Sequence, residues 1–74
     1  MGKEKIETET TKVLERIVQK RQELGISQKD LALKLHLSFN GYFKIETGKT
    51  KLDIKRLLEI AEVLNVNPCC FLED

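Results

Sequence analysis

Two short helical patterns in the middle of the chain are separated by only three residues, and this spacing constrains the fold more than any other feature. The upstream pattern places the apolar side chains of Leu31, Ala32 and Leu35 on one helical face, and Ser27 before it is a good N-cap residue. The downstream pattern begins after Ser38, which is a second candidate N-cap. The upstream helix is therefore expected over about residues 28–35, and only residues 36–38 separate it from the next helical pattern.

The stretch SFNGY (residues 38–42) carries a conflicting signal, because an Asn-Gly pair between aromatic residues is typical of a β-hairpin turn. An upstream strand, however, would overrun the capped helix that ends near Leu35, and the downstream stretch YFKIETG has only a short, weak alternation. As a helix, the same segment places Tyr42, Ile45 and Glu46 on an inward face at i, i+3, i+4 spacing. The sequence therefore predicts a helix here, despite its glycine.

Three other helices are predicted around this pair from apolar periodicity and from residues typical of helix ends. The first begins at about Thr11, with Thr10 or Thr11 as its candidate N-cap. Residues 1–10 before it are expected to form a flexible tail or a loose helical extension. Asp53 caps the fourth helix, and Asn67 caps a short fifth helix that starts at Pro68. The prediction is an all-α, compact bundle of four to five helices, with one domain over residues 11–74.

The fourth predicted helix is the most apolar, so we expect it to be the most buried. Its expected inward face comprises Ile54, Leu57, Leu58, Ala61 and Leu64, widened by Ile60 and Val63. The predicted left-handed helix stops are Gly25, Gly48 and Asn65.

The formal net charge of only +1 conceals an uneven distribution of charge along the chain. Residues 12–56 carry eleven Lys or Arg and five Asp or Glu, whereas residues 57–74 carry four acidic residues and no Lys or Arg. A basic middle beside an acidic end produces a directional field that could face a polyanion. Ordinary solvated surface charge would give the same counts, so the distribution alone leaves both interpretations open.

Length and composition exclude several classes of function. The 74 residues suit one domain without a secretory signal or a long apolar run, so a cytoplasmic protein with no membrane association is expected. Cys69 and Cys70 are adjacent, so they are expected to be reduced, half-buried thiols, with a disulfide between subunits as the alternative. With one histidine, no nucleophile–base pair and no Cys/His set at zinc spacing, no enzyme activity, metal, cofactor or small-molecule ligand is expected.

Two short helices joined by three residues, with one helix before and two after them, describe a helix-turn-helix motif. In this motif the second helix lies in the major groove of DNA while the first crosses the backbone. The outward face of that second helix carries Asn40 and Lys44, whose donors suit adenine and guanine edges respectively. Phe39 offers an apolar edge for a thymine methyl group. Lys49 and Lys51, just after the helix, are placed for phosphates.

The chain resembles the Cro/lambda-repressor-type helix-turn-helix family, often called the XRE family, over roughly residues 12–72. The resemblance rests on LGISQ, the LA of the second predicted helix, KIETG and IAEVLNV, which occur in order at family spacing. It implies a lambda-repressor-like bundle and binding of palindromic operators as a dimer. The expected function is therefore sequence-specific binding of double-stranded DNA by a small transcriptional regulator that acts as a repressor.

The resemblance also implies roles for individual residues. Gln28 matches a glutamine that fixes the second helix against phosphate. Gly41 matches a small residue near the sugar-phosphate wall, as in relatives that have NAYSKIE where this chain has NGYFKIE. Thr47, on the outward face, is expected to contact the DNA backbone as well. Arg21 and Glu46 match a buried pair that links the first helix to the end of the third in some relatives, although both side chains could instead be solvated.

Three positions depart from the family pattern. His36 occupies a turn position where relatives prefer glycine, although histidine tolerates the left-handed conformation at some cost. Phe39 replaces a residue that is often Gln or Arg, so hydrogen-bond readout is lost there. Phe43 is usually small or polar in relatives, so the two aromatic side chains could contact DNA, contact a protein or stack on each other.

A two-fold dimer is expected through the fifth helix and the end of the fourth, because the terminal segment is too short to bury all of its apolar side chains. The expected interface residues are Val66, Cys69, Cys70, Phe71 and Leu72. Two alternative functions stay open. One is an antitoxin that binds DNA and also masks a toxin protein, and the other is a helix-turn-helix module that binds only protein or RNA.

Overall fold

All regular secondary structure in residues 3–73, which the computed structural model describes, is helical. The elements in chain order are α1 (Lys3–Glu23), α2 (Gln28–Lys34), α3 (Phe39–Glu46), α4 (Ile54–Val63) and a 3₁₀ helix (Pro68–Phe71). Helix α3 packs on α2 and α1, while the 3₁₀ helix packs on α1 and α4. The predicted all-α bundle is confirmed, and the SFNGY stretch forms the start of α3 rather than a hairpin.

Every helix after α1 begins at the N-cap residue that the sequence predicts. The cap oxygens accept hydrogen bonds from backbone N–H groups in the pairs Ser27–Asp30 (3.0 Å), Ser38–Gly41 (3.0 Å), Asp53–Arg56 (2.7 Å) and Asn67–Cys69 (3.0 Å). These bonds satisfy donors that have no partner inside their own helix. The Ser38 cap therefore offsets part of the cost of placing a glycine in the first turn of α3.

All four α-helices end on a residue in the left-handed backbone conformation. These residues are Gly25 (φ 70°), His36 (φ 59°), Gly48 (φ 81°) and Asn65 (φ 57°). In the turn between α2 and α3, the N–H of Leu37 reaches the Ala32 carbonyl at 2.9 Å and the N–H of His36 reaches Leu33 at 3.1 Å. This pair of bonds is the Schellman arrangement, in which the chain reverses direction while the last carbonyls stay bonded. The predicted stops are confirmed, and His36 adopts the conformation that glycine would adopt without steric cost.

Helix α4 is less buried than the sequence predicts. Leu57, Ile60 and Ala61 lie in the core, whereas Ile54 is 76% exposed and Leu58 is 49% exposed. The expectation for Ile54 and Leu58 was wrong because a helix buries only one stripe, and Leu58 lies about 100° around the axis from Leu57. These two apolar side chains are therefore surface features of α4.

Helix α1 begins at Lys3, so the expected start at Thr11 was wrong. The hydroxyl of Thr10 does not cap the helix but donates to the Ile6 carbonyl at 2.9 Å, one turn upstream within it. Residues 3–10 form the helical extension that was one of the two expected forms, and Ile6 on it is 63% exposed. The boundary between tail and domain at residue 10 stays a prediction, and residues 1, 2 and 74 lie outside the described residues.

The C-terminal segment buries more of its apolar side chains than expected. Phe71 is fully buried in the core, and its carbonyl accepts a hydrogen bond from Arg16 of α1 at 3.0 Å. Val66 is half-buried and packs against the same core. The prediction that Phe71 forms a surface interface was therefore wrong, because the 3₁₀ turn aims its ring inward. Cys69 and Cys70 are free and exposed, rather than half-buried.

A buried ion pair joins α1 to α3. The Arg21 guanidinium donates to both carboxylate oxygens of Glu46, from Nε to Oε2 at 3.1 Å and from Nη2 to Oε1 at 3.0 Å. The side chains of Arg21 and Glu46 are only 9% and 5% exposed. Arg21 Nη1 also donates to the Ile26 carbonyl at 2.9 Å, and Gln28 Nε2 donates to Glu46 Oε1 at 2.8 Å. The network thus joins α1, α2 and α3.

The environment of Glu46 favours the ionised carboxylate. Burial opposes ionisation, but the hydrogen bonds and charge of Arg21 and the amide of Gln28 outweigh it, so the pKa of Glu46 is lowered. The neighbouring Tyr42 hydroxyl is buried and has no hydrogen-bond partner within bonding distance in the described residues. Burial, and then the nearby Glu46 carboxylate, raises the pKa of Tyr42. The site therefore holds one negative charge that is matched by one guanidinium.

We expect Glu46→Ala to lower the free energy of unfolding by about 3–5 kcal/mol, because it leaves the Arg21 charge buried without its partner. Glu59→Ala is the matched control, since Glu59 pairs with Arg56 within α4 at 3.1 Å and the two side chains are 43% and 30% exposed. That control should cost at most about 1 kcal/mol. Urea unfolding of both variants measures the difference. Equal midpoints for the two variants would mean that the pair does not hold the fold together.

The same carboxylate should make stability depend on pH. Because the folded-state pKa of Glu46 is lowered, its stabilisation is complete above the unfolded value of about 4.3 and is lost as pH falls through the folded pKa. Urea unfolding of the wild type and Glu46→Gln between about pH 7 and pH 3 tests this. The wild type should lose more stability at acidic pH than Glu46→Gln does. Parallel pH profiles would contradict the assignment.

Candidate nucleic-acid interface

Helix α3 divides cleanly into an inward and an outward face. Tyr42 and Ile45 are buried, whereas Asn40 and Lys44 are exposed on the opposite side, one turn apart. This division follows from the 100° step between residues, which the inward pattern of Tyr42, Ile45 and Glu46 already predicts. Four residues along a helix correspond to a separation of about 6 Å, so the amide and the ammonium can reach different groups of one extended surface.

Two aromatic rings form a stack on the flank of the outward face. The centroids of Phe39 and Phe43 are 6.0 Å apart and the ring planes differ by 18°. Phe39 is 51% exposed, while Phe43 is half-buried. Of the contacts that the sequence left open for this pair, the structure contains the mutual stack, and it leaves about half of the Phe39 side chain exposed to solvent.

Gln28 lies at the first position of α2, and its side chain bridges two elements of the site. Its Nε2 group donates to Glu46 at 2.8 Å, which orients the amide at the α2–α3 boundary. An NH₂ group has two hydrogens, so one stays available to a second acceptor such as phosphate. The sequence does not predict the bond to Glu46. The signal for it in the sequence is weak: Gln28 follows the N-cap Ser27, and Glu46 lies on the inward face of the next helix.

The loop after α3 is fixed by its backbone, and its two lysine side chains are exposed. The N–H groups of Lys49 and Thr50 both donate to the Lys44 carbonyl, at 2.8 and 3.0 Å. Because the backbone N–H of Lys49 is used inside the loop, contact with an anion has to come from its side chain. The ammonium groups of Lys49 and Lys51 are both on exposed residues.

Two smaller residues of the predicted interface have limited freedom. The Thr47 hydroxyl donates to the Phe43 carbonyl at 2.8 Å, so its hydrogen is used within α3 and it would have to rotate to donate to a phosphate. A Cβ atom at Gly41 would lie 3.1 Å from the Ser38 hydroxyl oxygen, which is a tight contact. An alanine at this position would therefore press on the oxygen that caps α3.

Helix α2 carries two exposed cations that the sequence pattern does not identify as partners for DNA. Lys29, directly after Gln28 and in the first turn of α2, is exposed, as is Lys34 in the last turn. The signal that could have found Lys29 is its place beside the residue already expected to contact phosphate. The exposed cations of the site and its vicinity are Lys29, Lys34, Lys44, Lys49, Lys51 and Lys55.

The described residues, 3–73, contain neither a membrane-spanning helix nor a cluster of metal-binding side chains. No helix in this range combines the length and the apolar character that crossing a bilayer requires. Within the same range, no three His, Cys, Asp or Glu side chains lie in a group that could hold a metal ion.

Comparison with known proteins links this geometry to a family. A family model described as helix-turn-helix matches residues 17–69, which is more than half of the chain and includes α2, the turn, α3 and α4. Neither the curated proteins nor the solved structures that were searched give a match. The matched segment contains the capped pair of short helices, the three-residue turn and the outward face with Asn40 and Lys44. The chain belongs to the Cro/C1-type, or XRE, helix-turn-helix family of DNA-binding transcription regulators.

Proposed function

We propose that this protein is a cytoplasmic repressor that binds a palindromic operator in double-stranded DNA as a homodimer, without catalysis and without a cofactor. The observation that carries the proposal is the division of α3. One face is locked to α1 and α2 through Glu46, while the other presents Asn40 and Lys44 to solvent. A helix held in this way can enter the major groove without a change of shape.

Base reading is assigned to Asn40, Lys44 and Phe39. The Asn40 amide can donate to and accept from an adenine edge, and the Lys44 ammonium can donate to guanine. Their separation of about 6 Å along α3 compares with a rise of about 3.4 Å per base pair, so they would read positions about two base pairs apart. Phe39, one residue before Asn40, would contact the neighbouring position through its exposed edge.

Holding the DNA backbone is assigned to residues at the ends of α2 and α3. The free hydrogen of the Gln28 amide and the ammonium groups of Lys49 and Lys51 would bind phosphates. Gly41 would allow the sugar-phosphate wall to approach α3, and Thr47 would bond to it after rotating its hydroxyl. Contacts of this kind set register and affinity but carry no sequence information.

Dimerisation is assigned to the exposed apolar side chains that remain near the C-terminus. With Phe71 in the core, the proposed face consists of Leu72, which is 58% exposed, together with Cys69 and Cys70 and the half-buried Val66. Leu58 of α4, which is 49% exposed, adds to it because α4 packs on the 3₁₀ helix. Two-fold symmetry would place two copies of α3 in successive major grooves. Occupation of the operator would then exclude other proteins, which is repression.

An antitoxin is the second candidate, and the half-exposed Phe39 ring is the observation that favours it. A toxin could bury that ring and its Phe43 partner, and copurification with a stoichiometric protein would support this function. A module that binds only RNA or protein would bind no duplex DNA even at low salt.

We expect the residues that read bases and the residues that bind phosphates to respond differently to mutation. Asn40→Ala and Lys44→Ala should each cost about 1–3 kcal/mol on the preferred duplex and relax preference at particular base pairs. Lys49→Ala and Lys51→Ala should weaken all duplexes nearly alike and reduce the salt slope by about one unit each. Fluorescence titrations of a preferred and a scrambled duplex at several salt concentrations measure both quantities.

Lys20→Ala is the control for these titrations, because Lys20 pairs with Glu23 on α1 at 3.0 Å, outside the proposed interface. It should leave both the affinity ratio and the salt slope unchanged. If Asn40→Ala and Lys44→Ala leave the ratio of preferred to scrambled affinity untouched, α3 does not read sequence through these residues.

We expect the free protein to sediment as a dimer at micromolar concentrations, and Leu72→Lys to shift it toward monomer, because a charge would be buried in the interface. Leu33→Lys is the matched control, since Leu33 is a 64% exposed leucine on α2 and lies outside the proposed face. Sedimentation velocity measures the masses. A wild-type protein that is monomeric both free and on DNA would overturn the proposed dimer.

A further inference from the structure

The stack of Phe39 on Phe43 is an unusual feature to place on a surface that faces a polyanion. The rings are nearly parallel, with centroids 6.0 Å apart, and half of Phe39 is exposed to water. A phenyl ring has two side-chain torsions, and a neighbour one turn away restricts both of them. Phe39 therefore projects from the first turn of α3 as a preorganised apolar edge.

A phenyl ring forms no hydrogen bonds with a base edge, so it discriminates among base pairs through the cost of burying polar groups of the base without a partner. It has no hydrogen-bond donor or acceptor, so covering the N7, O6, O4 or amino groups of a base edge would bury them without a partner. The C5-methyl group of thymine is the apolar group of the major-groove edge. Contact with this methyl group buries apolar surface on both sides and leaves no polar group unsatisfied.

We propose that the Phe39–Phe43 stack is a reader of 5-methylpyrimidines, in which Phe39 contacts one thymine methyl group in each half-site. Phe43 is a positioning residue, because it acts by holding the Phe39 ring in place. The inference rests on the proposed operator binding and names a base that this binding requires.

The surroundings of the stack favour DNA over a protein as its occupant. Asn40 is adjacent to Phe39 in the chain, and Lys44 is adjacent to Phe43, so each ring is bordered by a donor suited to a base edge. The cations Lys49 and Lys51 follow in the loop, and both are exposed. Ser38 caps α3 directly before Phe39, so the ring lies in the N-terminal turn, the part of such a helix that contacts base edges.

The test is thymine-to-deoxyuridine replacement in the preferred duplex, one symmetric pair of positions at a time. Deoxyuridine removes the methyl group and keeps every hydrogen-bonding group of the base. A buried methyl group corresponds to about a four-fold change in affinity, so one pair of positions should weaken dimer binding by about fifteen-fold. The other pairs should change it by less than about two-fold.

Variants show whether the stack is responsible. In Phe39→Ala the thymine-to-deoxyuridine ratio at the sensitive pair should fall to near one, and in Phe43→Ala it should fall part of the way. Phe43→Tyr keeps an aromatic ring for the stack, so it should keep the thymine-to-deoxyuridine ratio. If Phe43 served only the stability of the fold, Phe43→Ala would weaken binding without changing this ratio. Asn40→Ala is the control, because it should weaken binding while leaving this ratio unchanged.

The outcomes separate the inference from the proposed function. A protein that selects a preferred duplex but is insensitive to deoxyuridine at every position overturns the methyl reader and leaves the operator binding in place. Insensitivity to deoxyuridine together with a copurified protein that buries Phe39 also overturns the methyl reader, and it assigns the stack to a protein contact. A protein that prefers no duplex overturns the proposed function, and the inference with it.

Discussion

The bidentate ion pair between Arg21 and Glu46 is the interaction on which the rest of the site depends. It joins α1 to α3. Arg21 also donates a hydrogen bond to the Ile26 carbonyl between α1 and α2, and the Gln28 amide of α2 donates to Glu46. Burying two charges contributes little net stability compared with well-packed apolar side chains, but an arrangement that leaves either charge unpaired is strongly disfavoured. The pair therefore contributes mainly by raising the free energy of other orientations of α3, in which one of the two charges would lack its partner. With the inward face held, the outward face of the helix is presented in one geometry, which recognition of a rigid duplex requires.

Much of this architecture could be predicted from the sequence, because helix ends are determined by local chemistry. Ser27, Ser38, Asp53 and Asn67 accept the bonds expected of N-caps. The helix predicted for SFNGY is confirmed, because the Asn-Gly pair has no strand partner in residues 3–73 and Ser38 caps the helix that starts there. The inward face of α3 and the left-handed stops follow from the same kinds of evidence. The Arg21–Glu46 pair was instead implied by the resemblance to the family, and the structure contains it.

The features that were not predictable depend on contacts between distant parts of the chain. Ile54 and Leu58 fit an apolar face by spacing alone. In the folded chain, however, α4 packs on the 3₁₀ helix with Leu57 in the core and both of these side chains exposed. Phe71 and Leu72 are adjacent apolar residues with opposite environments, one fully buried and the other 58% exposed, and the direction of a 3₁₀ turn separates them. The start of α1 at Lys3 was missed because a polar helix without an apolar stripe has no periodic signal. The geometry of the aromatic stack also depends on side-chain conformation, which residue spacing leaves open.

We propose that two symmetric copies of α3 read duplex DNA through their outward faces. Selection of bound duplexes from a random pool, carried out in parallel with the wild type and Asn40→Ala, tests this claim most directly. We expect the wild type to recover a palindrome whose half-site centres lie about 10–10.5 base pairs apart. We expect Asn40→Ala to recover the same palindrome with one base pair of each half-site degenerate. A wild-type pool without an enriched sequence, or a consensus that Asn40→Ala leaves unchanged, would contradict the claim.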